Sequence, residues 1–382
     1  MSLFSRSEGK PVLIADIGEA SVGVALTTLS KNGPAHVIRS IRETLAPETR
    51  TSAQSATAIQ ALLESIVTKI LTQSSVRTNP HAVYAVLRAP WTQFRTSETE
   101  EKTPEVHSVT KAILGTLATR ALTASKQSDT SAVLEAGVLQ VFLNGYPTGE
   151  PIGKRANSVK VVAFESTIDP GMKAGIMETL GKLLPGRTPT LYSGTRALLV
   201  TLQDHLPHVH RFILIDVGAS MSSCAVIRKD NMTDHASIPE GLSTILTRIA
   251  PSAVPSETLS LLRMLANETC STSACADIKE AIARAEPELV RIFGESFASL
   301  AAKRRLPDIA LLSAPAELSP WLESFFSRID FSQFTSTTKP LRVESLSPEH
   351  LTESVVWEPG LTPETGIGVS ASSVNILAHA SS

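Results

Sequence analysis

The sequence has few aromatic residues and almost no net charge. Phe, Trp and Tyr make up 4% of its 382 residues, and 35 basic side chains stand against 37 acidic ones. Nucleic-acid binding depends on a surplus of positive charge, and single strands also need aromatic side chains on which bases stack. The composition therefore predicts no nucleic-acid partner, while a hydrophobic content of 42% is sufficient for folded cores.

Cysteine is scarce as well. The chain has three cysteines, Cys224, Cys270 and Cys275, and no histidine cluster stands near the last two. Their spacing is not a zinc-binding pattern, and it supports a disulfide framework no better. We expect all three to be reduced thiols, as is usual for a protein of the cytoplasm.

Long apolar runs are also missing. No stretch approaches the roughly 18 apolar residues that a membrane-spanning helix needs. The N-terminal segment MSLFSRSEGK lacks the apolar core of a signal peptide. The sequence therefore predicts a cytoplasmic protein that does not insert directly into a membrane.

A duplicated hairpin is present. The segment VLIADIGEASVGVAL reads as a strand, a turn at Asp16-Ile17-Gly18 and a second strand. The segment FILIDVGASMSSCAVI repeats this plan around Asp216-Val217-Gly218. Two such hairpins indicate a duplicated architecture, with one hairpin in each of two lobes.

Strands and helices alternate along the rest of the chain, which is typical of an α/β fold. A strand–helix–strand–strand unit, whose helix begins at Thr103, is predicted within residues 82–165. Pro287 is expected to interrupt a helix, and the Gly-, Ser- and Thr-rich segment after Glu358 is expected to be partly loose. The predicted organisation is a first lobe at 1–81 and 166–210, an insertion at 82–165, a second lobe at 211–358 and a tail at 359–382.

These features together resemble the actin-like ATPase superfamily, in the bacterial branch of the division protein FtsA and the type IV pilus protein PilM. The two hairpins stand at the lobe starts, and the unit at 82–165 occupies the place of that branch's special subdomain. The runs VFLNGYPTGEPIGKRANSVKVVAFES and IPEGLSTILTRIA are similar to FtsA-type passages. The resemblance covers most of the chain and implies a two-lobed fold made of two ribonuclease H-like halves.

In that superfamily, ATP and Mg²⁺ bind between the lobes, and each hairpin lends a turn to the phosphates. Glycine lets the backbone approach phosphate oxygens, and carboxylates at the turns hold Mg²⁺. The resemblance places Asp16, Gly18 and Ser21 in the first phosphate loop and Asp216, Gly218, Ser220 and Ser222 in the second. Asp16 and Asp216 would be the metal ligands if Mg²⁺ binds.

Four motifs of this pocket depart from the superfamily pattern. Glu19 places a carboxylate where it would repel phosphate, and Met221 stands where a hydroxyl residue is usual. Residues 313–315, Ser-Ala-Pro, replace a glycine-rich turn, and the helix that begins near Ser193 has no acid or amide to position a water molecule. We therefore expect a pseudo-ATPase with a decayed nucleotide site and no catalytic residue. The alternative is an active ATP-binding protein that polymerises with ATP.

The resemblance also implies partners. In this branch the special subdomain mediates self-association or binds short peptides of membrane proteins, so residues 82–165 are expected to contact a second copy or such a peptide. FtsA-type proteins end in a basic amphipathic helix, but this sequence has no Lys or Arg after Arg342. We expect a cytoplasmic scaffold for a division, pilus or secretion machine, held at the inner face of the membrane by a partner.

Overall fold

The computed structural model describes residues 9–48, 50–72, 79–124, 133–205, 210–228, 231–270, 273–302, 304–337 and 339–380. Most of the segment from which the absence of a signal peptide was argued, residues 1–8, lies outside the described residues. Within the described ranges, no helix combines the length and hydrophobicity that crossing a membrane requires. Strands and helices are numbered below in chain order.

The first lobe is built on a six-stranded sheet. Its strands, in spatial order, are β15 (Val355–Trp357), β3 (Ala35–Thr44), β2 (Ser21–Thr28), β1 (Val12–Ile17), β4 (Val83–Leu87) and β9 (Thr190–Ser193). Strands β3, β2 and β1 form an antiparallel meander, and β4 and β9 continue from β1 in parallel. Strand β1 is buried along its whole length because helices pack on both faces of the sheet.

The second lobe repeats this plan in a five-stranded sheet. Its strands are β12 (Asn231–Ile238), β11 (Ser222–Arg228), β10 (Arg211–Val217), β13 (Ile309–Ser313) and β14 (Arg342–Ser345). An antiparallel meander, β12-β11-β10, is again followed by two parallel strands. The α/β fold with two duplicated lobes that the sequence predicted is therefore confirmed.

A third sheet forms the insertion. Its strands, in spatial order, are β5 (Thr92–Ser108), β8 (Arg155–Ile168), β6 (Val133–Leu143) and β7 (Tyr146–Thr148). Helix α2 (Lys111–Ala124) packs on one face of this sheet over a small core that includes Val159 and Val161. Strands β5 and β7 are the two edges of the sheet.

The insertion differs in two details from the predicted unit. The strand β4, which was counted with the insertion, pairs with β1 in the first lobe. The predicted helix start at Thr103 is wrong, because the chain stays extended to Ser108 and the helix begins at Lys111. Pro104 suggested a first helical turn, but it lies in an irregular part of an edge strand, where a missing N–H is tolerated.

The two ends of the insertion meet at the first lobe. Thr92 pairs with Ile168, and the backbone N–H of Asp169 donates to the carbonyl oxygen of Trp91 at 2.9 Å. The insertion thus leaves and re-enters the first lobe at neighbouring points.

Two contacts fix the base of the insertion. Phe94 and Phe164 stack on each other, and Phe94 also packs against His235 of β12 in the second lobe. Glu135 pairs with Arg196, whose guanidinium lies over the ring of Phe164. The insertion therefore contacts both lobes.

Four helices belong to the first lobe: α1 (Ser52–Thr72), α3 (Pro170–Leu183), α4 (Gly194–His205) and α9 (Thr365–Ala380). Helix α1 buries Ile59, Leu63, Ile66 and Ile70, which recur at helical spacing, against the sheet. Helices α4 and α9 cover the opposite face.

The expectation of a partly loose tail is wrong, because helix α9 is a core element. Its apolar side chains Ile367, Val369 and Val374 are buried, and so are the hydroxyl residues Ser370 and Ser373. The glycine and serine content that suggested looseness instead provides small side chains, which let the helix lie close to its neighbours.

The second lobe contains α5 (Leu242–Ile249), α6 (Pro255–Ala266), α7 (Ser273–Ala301) and α8 (Ser319–Arg328). The predicted interruption at Pro287 is wrong, because α7 is continuous through this residue. Pro287 is exposed, whereas Leu289, Phe293 and Phe297 are buried on the opposite side. Tertiary packing of these side chains holds the helix together despite the missing N–H.

The cysteine expectation is wrong as well. Cys270 and Cys275 form a disulfide, with a Cα–Cα distance of 5.8 Å. Cys270 lies shortly after the end of α6 and Cys275 lies in the first turn of α7, a proximity that spacing alone does not reveal. Cys224 is a free thiol buried in β11, and burial raises its pKa.

Candidate functional site

The two hairpins have the same turn geometry. In the first, the N–H of Gly18 donates to the carbonyl oxygen of Ser21 at 2.9 Å. In the second, the N–H of Gly218 donates to that of Met221 at 3.0 Å. Asp16 and Asp216 therefore occupy equivalent positions, one residue before the ends of β1 and β10. The structure brings these two aspartates together between the lobes.

Asp16 is buried and surrounded by its own cations. Its Oδ1 accepts from Arg88 Nε at 3.1 Å and from the hydroxyl of Ser370 at 3.1 Å, and its Oδ2 accepts from Arg42. Burial alone would raise the pKa of this carboxyl, but the Arg88 and Arg42 guanidiniums outweigh burial and lower the pKa to about 2. Asp16 is therefore ionised and already neutralised.

Asp216 shares one of these cations. Its Oδ1 lies 3.3 Å from Arg88 Nη1 and accepts from the hydroxyl of Ser313 at 2.7 Å. Arg88 thus contacts an aspartate of each lobe. Burial would lower the pKa of Arg88, but the two aspartates outweigh burial and raise it, so the guanidinium stays charged.

The chain places Arg88 there by strand topology. Strand β4 runs parallel to β1, with Leu87 beside Ile17, and the N–H of Arg88 donates to the Ile17 carbonyl oxygen at 2.9 Å. Carboxyl ends of parallel strands meet at the same sheet edge. Arg88 is not among the predicted site residues, although its position directly after a strand that neighbours β1 could have indicated it.

Arg42 and helix α9 complete the surroundings of Asp16. Arg42 lies on β3 and also pairs with Glu364 at 2.9 Å. Glu364 accepts the N–H groups of Gly366 and Ile367 at the start of α9. Arg42, Glu364 and Ser370 were not singled out in the sequence either, because they come from distant segments that only folding brings to Asp16.

Glu19 links the two hairpin turns. Its Oε2 accepts the backbone N–H of Ser220 at 2.9 Å, across the space between the lobes. From the sequence, this carboxylate is expected to repel phosphate. In the structure it accepts from a backbone amide of the predicted second phosphate loop.

The hydroxyls of Ser21 and Ser222, which the sequence placed in the phosphate loops, have partners within the protein. Ser21 Oγ accepts from Arg42 Nη1 at 3.0 Å, and the Ser222 hydroxyl, which is fully buried, donates to the carbonyl oxygen of Glu240. The turn around Gly218 is covered by the start of α5, where the N–H of Leu242 donates to the Gly218 carbonyl oxygen at 2.9 Å. These groups contact the protein itself.

The arrangement does not fit the Mg²⁺–ATP that the resemblance implies. A metal ion held by Asp16 and Asp216 would have to displace the Arg88 guanidinium, which is paired with both carboxylates. A phosphate oxygen at Ser220 would have to displace Glu19. At residues 313–315, which replace the glycine-rich turn of the superfamily, Pro315 offers no N–H, and its carbonyl oxygen accepts from Leu318 at the start of α8.

A cleft of about 470 Å³ lies beside the hairpin turns. It is bordered by the first turn, the second turn, the start of α1 and one face of α5. Residues that line it include Glu19, Arg50, Ser220, Thr244 and Arg248. Met221 and Pro315, which could have plugged the space between the lobes, do not line this cleft.

The insertion carries a second candidate surface. Six large apolar side chains are exposed in the described part of the chain, and four of them lie in the insertion: Val106, Val138, Tyr146 and Ile152. Tyr146 and Ile152 belong to the turn-rich segment between β6 and β8, and Tyr146 is 77% exposed. The insertion therefore carries most of the exposed large apolar side chains of the described residues.

Comparison with solved structures identifies the fold. A chain of a PilM–PilN type IV pilus biogenesis complex aligns over 98% of this chain and 99% of that chain, with a TM-score of 0.62 and 16% sequence identity. The protein has the actin-like fold. At this level of identity the likeness concerns the fold alone.

Two other solved structures align less closely. The ethanolamine utilization protein EutJ from Carboxydothermus hydrogenoformans aligns over 95% of this chain and 88% of that chain, with a TM-score of 0.45 and 12% identity. A Bacteroides thetaiotaomicron protein with an actin-like ATPase fold and unknown function aligns over 91% and 95%, with a TM-score of 0.41 and 8% identity. No protein-family model matches the sequence, and no curated protein matches it.

Proposed function

We propose that the protein is an actin-like scaffold of a membrane-associated assembly of the type IV pilus or secretion kind. The observation that carries this proposal is the fold similarity to the PilM–PilN chain, which extends over nearly the whole of both chains. In this proposal the scaffold works at the cytoplasmic face of the membrane, and a membrane protein holds it there. Its own role is to position partners and not to turn over a substrate.

The partner contact is assigned to the insertion. The similar solved structure is that of a complex, in which PilM is bound to PilN. The insertion concentrates the exposed apolar side chains, and its sheet has two edge strands, β5 and β7. An extended peptide can add to such an edge through main-chain hydrogen bonds while its side chains contact neighbouring apolar residues. The same surface is also the proposed site of self-association.

The nucleotide site is proposed to be decayed. The support is that Arg88 lies between Asp16 and Asp216, and that Glu19 contacts the Ser220 amide. The competing function is an ATPase that polymerises with ATP. Calorimetry with Mg²⁺–ATP distinguishes the two: we expect no binding at micromolar nucleotide and no turnover. Micromolar binding with turnover would establish the ATPase instead.

A peptide-binding experiment tests the scaffold role. Labelled peptides that cover the cytoplasmic segment of the PilN-type protein from the same genome would be titrated with the protein, and binding followed by fluorescence anisotropy. A triple variant, Val106→Ser, Tyr146→Ser and Ile152→Ser, is expected to weaken binding by about tenfold or more, since interface energy concentrates in buried aromatic and aliphatic anchors.

The matched control uses exposed apolar residues outside the insertion. The double variant Val254→Ser and Val356→Ser removes side chains that are 53% and 43% exposed, respectively. It should bind the peptide as the wild type does. Equal binding by the insertion variant would place the contact elsewhere, and no binding by the wild type would contradict the proposed partner.

A further inference from the structure

We propose that the chain contains its own substitute for a metal–phosphate pair. The Arg88 guanidinium takes the place of the cation between Asp16 and Asp216, and the Glu19 carboxylate takes the place of a phosphate at the Ser220 amide. Together these two contacts hold the lobes closed without any ligand. This inference rests on the proposed function, in which the nucleotide site is decayed.

Arg88 matches a bound cation in both charge and position. Asp16 and Asp216 lie at equivalent turns of the two lobes, and each contacts the same guanidinium, at 3.1 Å and 3.3 Å. The side chains of Asp16, Asp216 and Arg88 are 2%, 12% and 19% exposed, so water screens the attraction only in part. Two carboxylates that face each other between lobes repel unless a cation joins them, and Arg88 provides this charge permanently.

The anion position follows from hydrogen bonding. Backbone N–H groups at such turns bind anionic oxygens, whether these belong to phosphate or to carboxylate. Glu19 belongs to the turn of the first hairpin, and its Oε2 accepts from Ser220 in the turn of the second at 2.9 Å. The first lobe thus supplies to the second the oxygen that a phosphate would otherwise supply.

The surroundings of Arg88 and Asp16 are shaped for this arrangement. Gly366, the second residue of α9, lies against the ion pair, and a Cβ at this position would lie 2.6 Å from Asp16 Oδ2 and 2.7 Å from Arg42 Nη2. Arg42 neutralises the second oxygen of Asp16 and is itself paired with Glu364. Asp16 is therefore held within the first lobe. Arg88 contacts Asp16 through Nε and directs Nη1 toward Asp216.

Both contacts cross between the lobes, and both begin in the first lobe. Arg88 contacts Asp216, and Glu19 contacts Ser220, on two neighbouring parts of one hairpin. In a nucleotide-dependent protein, closure requires a ligand that touches both hairpins. Here the same two hairpins are joined by protein side chains, so closure does not depend on ligand concentration.

Hydrogen exchange of the free protein, measured by mass spectrometry, tests this. In the double variant Glu19→Met and Arg88→Met, Met keeps the length of Glu19 without its acceptor oxygens. At position 88 it keeps only the apolar stem of Arg and removes the guanidinium charge. Amides in residues 16–22 and 216–222 are expected to exchange roughly tenfold faster than in the wild type, because the turns lose their contacts across the lobes. Circular dichroism checks that the variant is folded.

Two further variants keep the test decisive. If the double variant does not fold, Glu19→Met is combined with Asp216→Asn, which leaves the Arg88–Asp16 pair in place. The control is Arg248→Met, which breaks the ion pair with the buried Glu240 inside the second lobe. It should leave exchange at the first hairpin unchanged. Wild-type exchange at both hairpins in a folded double variant would overturn the proposal.

The two proposals fail in different ways. If Mg²⁺–ATP slows exchange at the hairpins of the wild type, the nucleotide site is functional and the proposed decay is wrong. If Mg²⁺–ATP has no effect on the wild type but the double variant also exchanges normally, the internal substitute is wrong while the decayed site stands. Faster exchange in the double variant, with no effect of nucleotide on the wild type, supports both.

Discussion

The two hairpins share a backbone and differ in how their aspartates are held. Each turn has the same glycine hydrogen bond, but Asp16 contacts two guanidiniums and a hydroxyl, whereas Asp216 contacts one guanidinium and one hydroxyl. The first aspartate is held inside its own lobe, and the second depends on Arg88 from the other lobe. The difference indicates that the first hairpin is a fixed support and that the second is held against it.

The largest effect is expected from removing the charge of the first aspartate. Asp16→Asn leaves Arg42 and Arg88 without their shared buried counterion, so the free energy of unfolding should fall by about 3 kcal/mol. Asp216→Asn should cost about 1 kcal/mol, because Arg88 keeps Asp16 and the site is more exposed. Urea denaturation measures both variants. Equal losses would contradict the asymmetry.

A second prediction compares the turn glycines. A Cβ at Gly218 would lie 2.7 Å from the carbonyl oxygen of Met221, whereas a Cβ at Gly18 would lie 3.5 Å from that of Ser21. Gly218→Ala is therefore expected to lower stability by about 1 to 3 kcal/mol, since the clash is with backbone. Gly18→Ala should be close to neutral. Thermal denaturation of the two variants measures both losses of stability. A larger loss for Gly18→Ala than for Gly218→Ala would contradict the described geometry of the two turns.

A third prediction concerns the contact between the second lobe and the base of the insertion, which is made by rings and not by charged side chains. His235 packs on Phe94, and its Nε2 is buried without a hydrogen-bond partner among the described residues. Burial lowers the pKa of His235 to about 4, from an ordinary value of 6.5. The folded state therefore favours the neutral ring, and stability should be full above pH 6.5 and fall as the pH drops toward 4.

Replacing His235 tests this pH window. His235→Phe keeps an aromatic ring against Phe94 and removes the titrating group, so the loss of stability between pH 6.5 and 4 should shrink by about 3 kcal/mol. Urea denaturation at several pH values gives the comparison. The depressed pKa of Asp16, about 2, acts in a lower window: its stabilisation is lost only as the pH falls through 3.8 toward 2. A wild-type profile flat from pH 6.5 to 4 would contradict the assignment to His235.

The smallest expected effect concerns the hydroxyls. Ser313 donates to Asp216 at 2.7 Å, and Ser370 donates to Asp16 at 3.1 Å. Ser313→Ala should cost about 1 kcal/mol, the usual contribution of one hydrogen bond. Ser370→Ala should cost less, because Asp16 retains two guanidiniums. Urea denaturation gives the midpoint of each variant, and the midpoint of Ser313→Ala should be the lower one. A larger loss for Ser370→Ala would contradict the stronger hold on Asp16.

The sequence revealed the duplicated fold because its signals are local. A buried strand, an Asp-X-Gly turn and a second strand can be read directly at residues 12–28 and again at residues 211–228. The aspartates were found for the same reason. Helix α9 was missed because its small residues resemble those of a loop, although Ile367, Val369 and Val374 are buried.

The counterions were missed because they come from distant segments. Arg88 reaches Asp16 and Asp216 only after β4 pairs with β1, and Arg42 reaches Asp16 only after β3 joins the same sheet. The disulfide between Cys270 and Cys275 depends on where α6 ends and α7 begins in space, which the spacing of the cysteines does not give. The aspartates of the site can be predicted from local motifs. Their counterions can be predicted only when the order of the strands in the sheet is known.

The meeting of the insertion's two ends at Trp91 and Asp169 has an evolutionary consequence. Because the chain leaves and returns at one place, the module between them can grow, shrink or be exchanged while the path of the surrounding lobe is preserved. Under the proposed function, the partner contact can then change within the module while the lobes maintain the fold. A chimera that receives the corresponding module of a relative should keep the two lobes folded if the contacts of Phe94 with His235 and of Glu135 with Arg196 are retained.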